Sequence, residues 1–124
     1  MLRKLTKVVT IGIVVGSNML FAGNVTDVLN KQEALSHKAV VFYKKHKTKA
    51  LLSQIHTLKA QNRKLQRYVR DPEIKNLLVF LDICLDEMKS TLNKPYSKDN
   101  AQIIADLSVS IKEGTHYVKR ALKI

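Results

Sequence analysis

The stretch that decides the fold is DPEIKNLLVFLDICLDEMKSTLN, residues 71–93. Asp71 can accept hydrogen bonds from free backbone N–H groups, and Pro72 suits the first position of a helix. At about 100° per residue, the following positions share one apolar face: Ile74, Leu77, Leu78, Leu81, Leu85, Met88 and Leu92. The stretch therefore predicts a helix that begins after Asp71 and buries one face.

Three further apolar side chains lie outside that face, and they are Val79, Phe80 and Ile83. An ordinary bundle helix is polar at such positions. Either a second layer of the protein covers them, or they form an exposed patch that binds a protein partner or a second copy of the chain. Both interpretations stay open at the level of the sequence.

Two amphipathic segments precede this stretch. The first covers residues 24–46, with Asn24 or Thr26 as its N-terminal cap. The second covers residues 50–70, and its apolar positions alternate by four and three residues, as in the seam of a helix bundle. The lysine-rich residues 44–49 interrupt the apolar pattern without Gly or Pro. They predict a turn between two helices, and one long bent helix is the alternative.

A fourth amphipathic segment starts at Asp99 or Asn100, after a loop at residues 93–97. Gly114 lies on its apolar face, where Gly costs helix stability, so we expect Gly114 to allow close contact with another helix. Four segments of similar length with short joins are typical of helix bundles. The sequence therefore predicts an all-α fold, an antiparallel up-down-up-down four-helix bundle.

The N-terminus is typical of a secretory signal peptide. Arg3, Lys4 and Lys7 precede a largely apolar run of 15 residues that ends at Ala22. We expect cleavage after Ala22, a periplasmic location and a mature domain of residues 23–124. The run is short for a membrane span, which needs about 20 residues. An uncleaved inner-membrane anchor is the alternative.

The chain is strongly basic, with a formal net charge of +12. Residues 34–70 contain ten Lys or Arg and no Asp or Glu. The outward face of the second segment carries four of them, Lys59, Arg63, Arg67 and Arg70. The residues just before that segment add Lys44, Lys45, Lys47 and Lys49. This basic face predicts an anionic partner, either membrane headgroups or an acidic protein. Nucleic acid is not expected, because the face lacks the interleaved aromatic residues of single-strand binding surfaces.

Residue patterns for catalysis or metal binding are missing from the sequence. It has no Ser/His/Asp grouping, glycine-rich phosphate loop or zinc-binding spacing, so an enzyme is not expected. Glu113 and His116 have the spacing of di-iron bundles, but such sites need two motifs of this kind. Asp82 and Asp86 are expected to pair with the basic second segment. Cys84 is the only Cys, so no internal disulfide can form, and a buried, inert thiol is expected.

Short motifs in the second half resemble the soluble periplasmic cytochrome b562 family. Residues 80–83 (FLDI) are similar to its third helix, and Ala101-Gln102 followed by His116 and Arg120 is similar to its fourth. The resemblance implies a secreted four-helix bundle. It also implies that His116 could ligate haem b in an electron-transfer protein.

The second haem ligand of that family is a Met at the start of the first helix. This chain has Val25, Thr26 and Val28 at those positions. The resemblance therefore supports the fold more than the cofactor. We expect a non-enzymatic binding or interaction protein without standard haem ligation, and the alternative is a b-type electron carrier that uses His116 and a second ligand not identified from the sequence.

Overall fold

The computed structural model describes the backbone of residues 15–123 and the side chains of residues 25–123. This part of the chain forms four helices: α1 (Val15–Lys44), α2 (Lys49–Tyr68), α3 (Pro72–Leu92) and α4 (Lys98–Leu122). No strand occurs within these described residues. The prediction of an all-α fold with four helices is confirmed.

The helices pack in a ring, in which each contacts its neighbour along the chain and α4 contacts α1. Their apolar faces meet in one continuous core. Full burial of an aliphatic side chain contributes about 1.5–3 kcal/mol, so this shared core holds the helices together. Its fully buried members include Leu29, Ile55, Leu58, Leu81, Leu85, Ile104 and Ile111.

α1 and α2 are separate helices because a helix-stop motif ends α1. The N–H of Lys47 donates to the carbonyl O of Phe42 at 2.9 Å, and the N–H of His46 donates to that of Tyr43 at 3.0 Å. His46 has a φ of 59°, the left-handed conformation that this motif requires just after the helix. The predicted turn at residues 44–49 is confirmed, and the bent-helix alternative is wrong.

The starts of α3 and α4 are both capped by side chains. Asp71 Oδ1 accepts from the N–H groups of Glu73 at 2.8 Å and Ile74 at 3.3 Å, as predicted. α4 begins slightly earlier than predicted, because Ser97 Oγ accepts from the N–H of Asn100 at 3.0 Å. Both residues predicted to start α4 therefore lie within its first turn.

The described part of α1 already includes Val15, inside the predicted signal peptide, so this helix does not begin at residue 24. The prediction that Asn24 or Thr26 caps this helix is wrong, because both lie within it and follow the helix-forming residues 19–22. Residues 1–14 of the predicted signal peptide lie outside the described residues, and its cleavage stays a prediction. In the described part of the chain, none of the helices is both long and apolar enough to span a membrane.

Gly114 brings α3 and α4 close together, as predicted. A Cβ atom added to Gly114 would lie 2.9 Å from Leu81 Cδ2 and 3.6 Å from Phe80 Cδ2. The first distance is shorter than real Cβ contacts, and Leu81 is fully buried. Any larger residue at position 114 would therefore push the two helices apart or displace Leu81.

Candidate functional site

The basic face of α2 comprises Lys59, Arg63, Arg67 and Arg70, and α3 neutralises part of it. Lys59 Nζ lies 3.7 Å from Asp82 Oδ1 and also donates a hydrogen bond to Asp86 Oδ1. Arg63 Nε lies 3.6 Å from Asp82 Oδ2. The hydrogen bond from Lys59 is the main cause that lowers the pKa of Asp86. The predicted pairing of the two aspartates with the second helix is confirmed.

The remaining cations of this face, Arg67 and Arg70, are exposed near the end of α2. Within the part of the chain that the structure describes, no ion pair involves either of them. The predicted binding face is therefore divided. Lys59, whose side chain is only 12% exposed, forms ion pairs with α3, whereas Arg67 and Arg70 are exposed to solvent.

A second group of cations gathers where the α1–α2 turn meets the α3–α4 loop. The Tyr43 hydroxyl joins the two connections by donating to the carbonyl O of Pro95 at 2.8 Å. The centroid of the Tyr96 ring lies 5.4 Å from that of Tyr43 and 5.9 Å from that of His46. Six exposed lysines belong to these connections and the helix ends beside them, and together they form the basic end: Lys44, Lys45, Lys47, Lys49, Lys94 and Lys98.

The lysines of the basic end are not paired with carboxylates in the described part of the chain. The segments that build it, residues 38–49 and 93–98, contain neither Asp nor Glu. The nearest acid in the sequence is Asp99, which directly follows Lys98. The positive charge of this end is therefore available to an external anion.

A groove with a volume of about 320 Å³ opens beside the basic end, between α1 and the first turns of α4. The small side chains of Ala101 and Ala105 line it, together with Lys44, Tyr96 and Lys98. This volume is at the lower end of the range of small-molecule sites, roughly 300–1,000 Å³. The α1–α4 groove can therefore place an anionic group between two lysines and carbon atoms against alanines.

The apolar patch predicted on α3 is exposed. Val79 is 41%, Phe80 44% and Ile83 53% exposed, so the interpretation that a second layer covers them is wrong for the described chain. The ring of Phe80 borders the contact of α3 with Gly114. Ile83 is the residue of this patch whose side chain is most available to a partner.

His116 lies at the surface, where it contacts α1. Its Nε2 is 2.7 Å from Glu33 Oε2, and Glu33 Oε1 accepts a hydrogen bond from Lys119 Nζ at 2.8 Å. The hydrogen bonds from His116 and Lys119 lower the pKa of Glu33 to about 2. Sequence reasoning did not identify Glu33, because only the packing of α1 on α4 brings it to His116.

These residues do not fit a haem group. The candidate ligand His116 is exposed and bound to Glu33, away from the core. Val25 and Val28 are buried where the resembled family has its Met ligand, and their side chains have no atom that ligates iron. Among the described side chains, no group of three or more His, Cys, Asp or Glu is arranged to hold a metal ion.

Cys84 is buried, as predicted. Burial raises the pKa of its thiol, and the nearby charge of Glu87 raises it further. A thiolate is the reactive form of Cys, so this protonated, covered thiol has little nucleophilic character.

Comparison with known proteins identifies no relative of this chain. No protein-family model matches the chain, and no curated protein or solved structure is significantly similar to it. The resemblance to the cytochrome b562 family therefore stays a hypothesis that rests on the short motifs of α3 and α4.

Proposed function

We propose that this chain is a non-enzymatic periplasmic binding protein whose basic end attaches to anionic membrane headgroups. The observation that carries this proposal is the convergence of six exposed lysines that have no carboxylate partner among the described residues. The basic face of α2 is the weaker candidate, because Lys59 and Arg63 already pair with α3.

An antiparallel order of the helices belongs to this proposal, because it brings both connections to one end of the bundle. Lys59 pairs with Asp86, whereas Arg63, one turn further along α2, pairs with Asp82, one turn earlier in α3. Two neighbouring helices that run in opposite directions produce this pattern. It supports an antiparallel packing of α2 and α3.

The same pattern relates α1 to α4. Lys119 Nζ donates to Asn30 Oδ1 at 2.7 Å, and His116 contacts Glu33, which comes later in α1. The two pairs again move in opposite directions along the helices. This supports an up-down-up-down bundle in which the α1–α2 turn and the α3–α4 loop share one end.

The composition of the basic end suits a headgroup layer. Each lysine close to an anionic lipid surface contributes roughly 1 kcal/mol. Tyr96 is 42% exposed among these lysines, and amphipathic aromatic rings of this kind favour the membrane interface. In the α1–α4 groove, a lipid phosphate would lie between Lys44 and Lys98.

The periplasmic location rests on the signal peptide predicted at residues 1–22, and an uncleaved inner-membrane anchor is the alternative. The two alternatives differ in geometry, because residues 23–44 of α1 follow the predicted anchor and span about 33 Å at 1.5 Å per residue. An N-terminal anchor would hold the basic end that far from its own membrane. Mass spectrometry of the secreted protein distinguishes them by the N-terminal residue.

The proposal is tested by flotation of the protein with lipid vesicles. We expect binding to vesicles that contain phosphatidylglycerol and little binding to neutral phosphatidylcholine vesicles. Binding should weaken as ionic strength rises from about 0.01 to 1 M, since the screening length then falls from about 30 to about 3 Å. Equal retention on neutral vesicles, or retention that salt does not change, would refute the proposal.

A second candidate function is protein binding or self-association through the apolar patch, which its exposure favours. Ile83→Asp is the suitable variant, because Ile83 is 53% exposed and the substitution leaves the core intact. Val109→Asp on α4 is the matched control, with Val109 54% exposed. Sedimentation that shows a monomer for the wild type and both variants removes self-association from consideration.

A further inference from the structure

The centre of the bundle contains polar side chains that lack hydrogen-bond partners. Gln32 of α1, Asn62 of α2 and Thr115 of α4 are each 0% exposed. Both amide atoms of Gln32, Nδ2 of Asn62 and Oγ1 of Thr115 form no hydrogen bond with the described protein atoms. Native proteins satisfy nearly all buried polar groups, with protein atoms or with ordered water, so this cluster calls for a bound partner.

Contacts between α1 and α4 place two of these residues at the same height in the bundle. Glu33 and His116 are hydrogen-bonded at 2.7 Å, and they are the sequence neighbours of Gln32 and Thr115. Gln32 and Thr115 point from these positions into the core, where both are fully buried.

Contacts with α3 bring Asn62 to the same height. Gly114, which precedes Thr115, faces Leu81 across a close helix contact. Asp82, the next residue of α3, pairs with Arg63, which follows Asn62. Gln32, Asn62 and Thr115 therefore lie in one cross-section of the bundle, the polar layer.

Two further buried oxygen atoms occur next to this layer, and one of them, Asp82 Oδ1, lies 3.7 Å from Lys59 Nζ. Gln61 Oε1 and Asp82 Oδ1 are buried and form no hydrogen bond with described atoms, although both residues are partly exposed. Gln61 directly precedes Asn62, and Asp82 is at the same height of α3. These two acceptors therefore lie on partly exposed residues next to the polar layer.

We propose that the polar layer is a binding site for ordered water at the centre of the bundle. Its groups are amides and a hydroxyl, which have no charge to balance an ion but offer both donors and acceptors. A buried water needs two to four such partners. Within the layer, the hydrogen bond described is that of Gln66 Nε2 to Asn62 Oδ1 at 3.4 Å, which leaves the other polar atoms free for water.

The bound water also fixes the relative heights of the helices. A polar residue in an apolar seam favours the register in which it meets a partner. Sliding one helix by a turn would move its polar side chain against leucines and separate it from the shared water. The layer thus selects one alignment of the apolar faces of α1, α2 and α4.

Oxygen-17 relaxation dispersion of water tests this site, because it detects water molecules that stay bound longer than the protein tumbles. We expect a slow-water signal in the wild-type full chain. Thr115→Val, which removes a hydroxyl at nearly constant volume, and Gln32→Leu should each reduce or abolish it. Gln102→Leu, at an exposed glutamine of α4, is the matched control and should leave the signal unchanged.

Two results overturn the proposal. One is the absence of slow water in the wild type, which would mean that the layer is dry. The other is a signal that persists unchanged in both Thr115→Val and Gln32→Leu, which would place the water elsewhere. If Gln32→Leu does not fold, the isosteric Thr115→Val decides the question alone.

Discussion

The two cation-rich regions of this protein differ in what faces them. On the basic face of α2, Lys59 and Arg63 meet Asp82 and Asp86 of α3. At the basic end, six lysines gather on segments that contain no acid. A run of basic residues therefore becomes an available binding surface only where the fold brings no carboxylate against it.

Removing the counter-charges of the α2 face tests whether its paired cations can become available to an anionic surface. Asp82→Asn combined with Asp86→Asn should free two cations, which contribute roughly 1 kcal/mol each at an anionic lipid surface. Lys59 follows Lys49 of the basic end by ten residues, or about 15 Å along α2, which is more than the screening length of about 10 Å. We therefore expect the affinity for phosphatidylglycerol vesicles, measured by vesicle titration, to rise by less than the roughly 30-fold that two cations at the lipid surface itself would give.

The matched control for this double variant is Asp106→Asn combined with Glu113→Gln, which makes the same change in net charge on α4. It should raise the affinity much less, because it frees no cation of the α2 face. Equal increases in both double variants would show that net charge, and not pairing, governs binding.

Paired cations of the α2 face should contribute more to the free energy of unfolding than the unpaired lysines of the basic end. Lys59→Met leaves Asp86 without its cation and leaves Asp82, whose side chain is 17% exposed, with Arg63 alone, so we expect the free energy of unfolding to fall by about 1–2 kcal/mol. Lys45→Met changes an exposed lysine of the basic end and should alter it by less than about 0.5 kcal/mol. Urea unfolding measures both variants, and equal losses would contradict the distinction between the two regions.

Glu33 of α1 forms ion pairs with His116 and Lys119 of α4. The contribution of this contact to the stability of the fold depends on pH. Glu33 has a pKa of about 2 in the folded state, below the value of about 4.3 expected in the unfolded chain. Its ionised form therefore stabilises the fold above about pH 4.3, and this contribution is lost as the pH falls towards 2. Because water screens the contact, we expect at most about 1 kcal/mol.

Glu33→Gln should flatten the pH dependence of stability over this acid range. Glu113→Gln, an exposed residue of α4, is the control and should keep the wild-type profile. Urea unfolding at several pH values measures both. Identical profiles for Glu33→Gln and the wild type would show that the Glu33 contact contributes nothing to the fold.

The smallest expected effect concerns haem binding, because we expect the protein to bind no haem. Haemin added to the purified protein should give no sharp Soret band, because His116 is bound to Glu33 at the surface and Val25 and Val28 offer no second ligand. His116→Ala should behave like the wild type. A Soret band that His116→Ala removes would instead support the alternative of a b-type electron carrier.

Periodicity within each helix was sufficient to predict the core. The seam of α2 is buried as expected, including its one polar member, Asn62. The same reasoning placed Ile83 and Phe80 outside the core of α3, and Asp71 at its cap. These features depend on the order of residues along a single helix, which the sequence contains directly.

Contacts between helices were harder to predict, because they depend on how one helix is aligned with another. The pairing of Glu33 with His116 joins residues 83 positions apart. The addition of Lys94 and Lys98 to the lysines of the α1–α2 turn likewise needs the contact of Tyr43 with Pro95. The end of α1 at a left-handed His46 was foreseen as a turn, but nothing in the residue type fixed its geometry.

The central claim is that the position of the lysines at the basic end, and not their number, creates the binding surface. Two triple variants with the same change in charge test it in the vesicle assay. One is Lys44→Gln, Lys45→Gln and Lys47→Gln at the basic end, and the other is Lys64→Gln, Arg67→Gln and Arg70→Gln on α2. We predict at least a roughly tenfold loss of affinity for the first and a much smaller loss for the second, since each lysine at the lipid surface contributes roughly 1 kcal/mol. Equal losses in the two triple variants would contradict the claim.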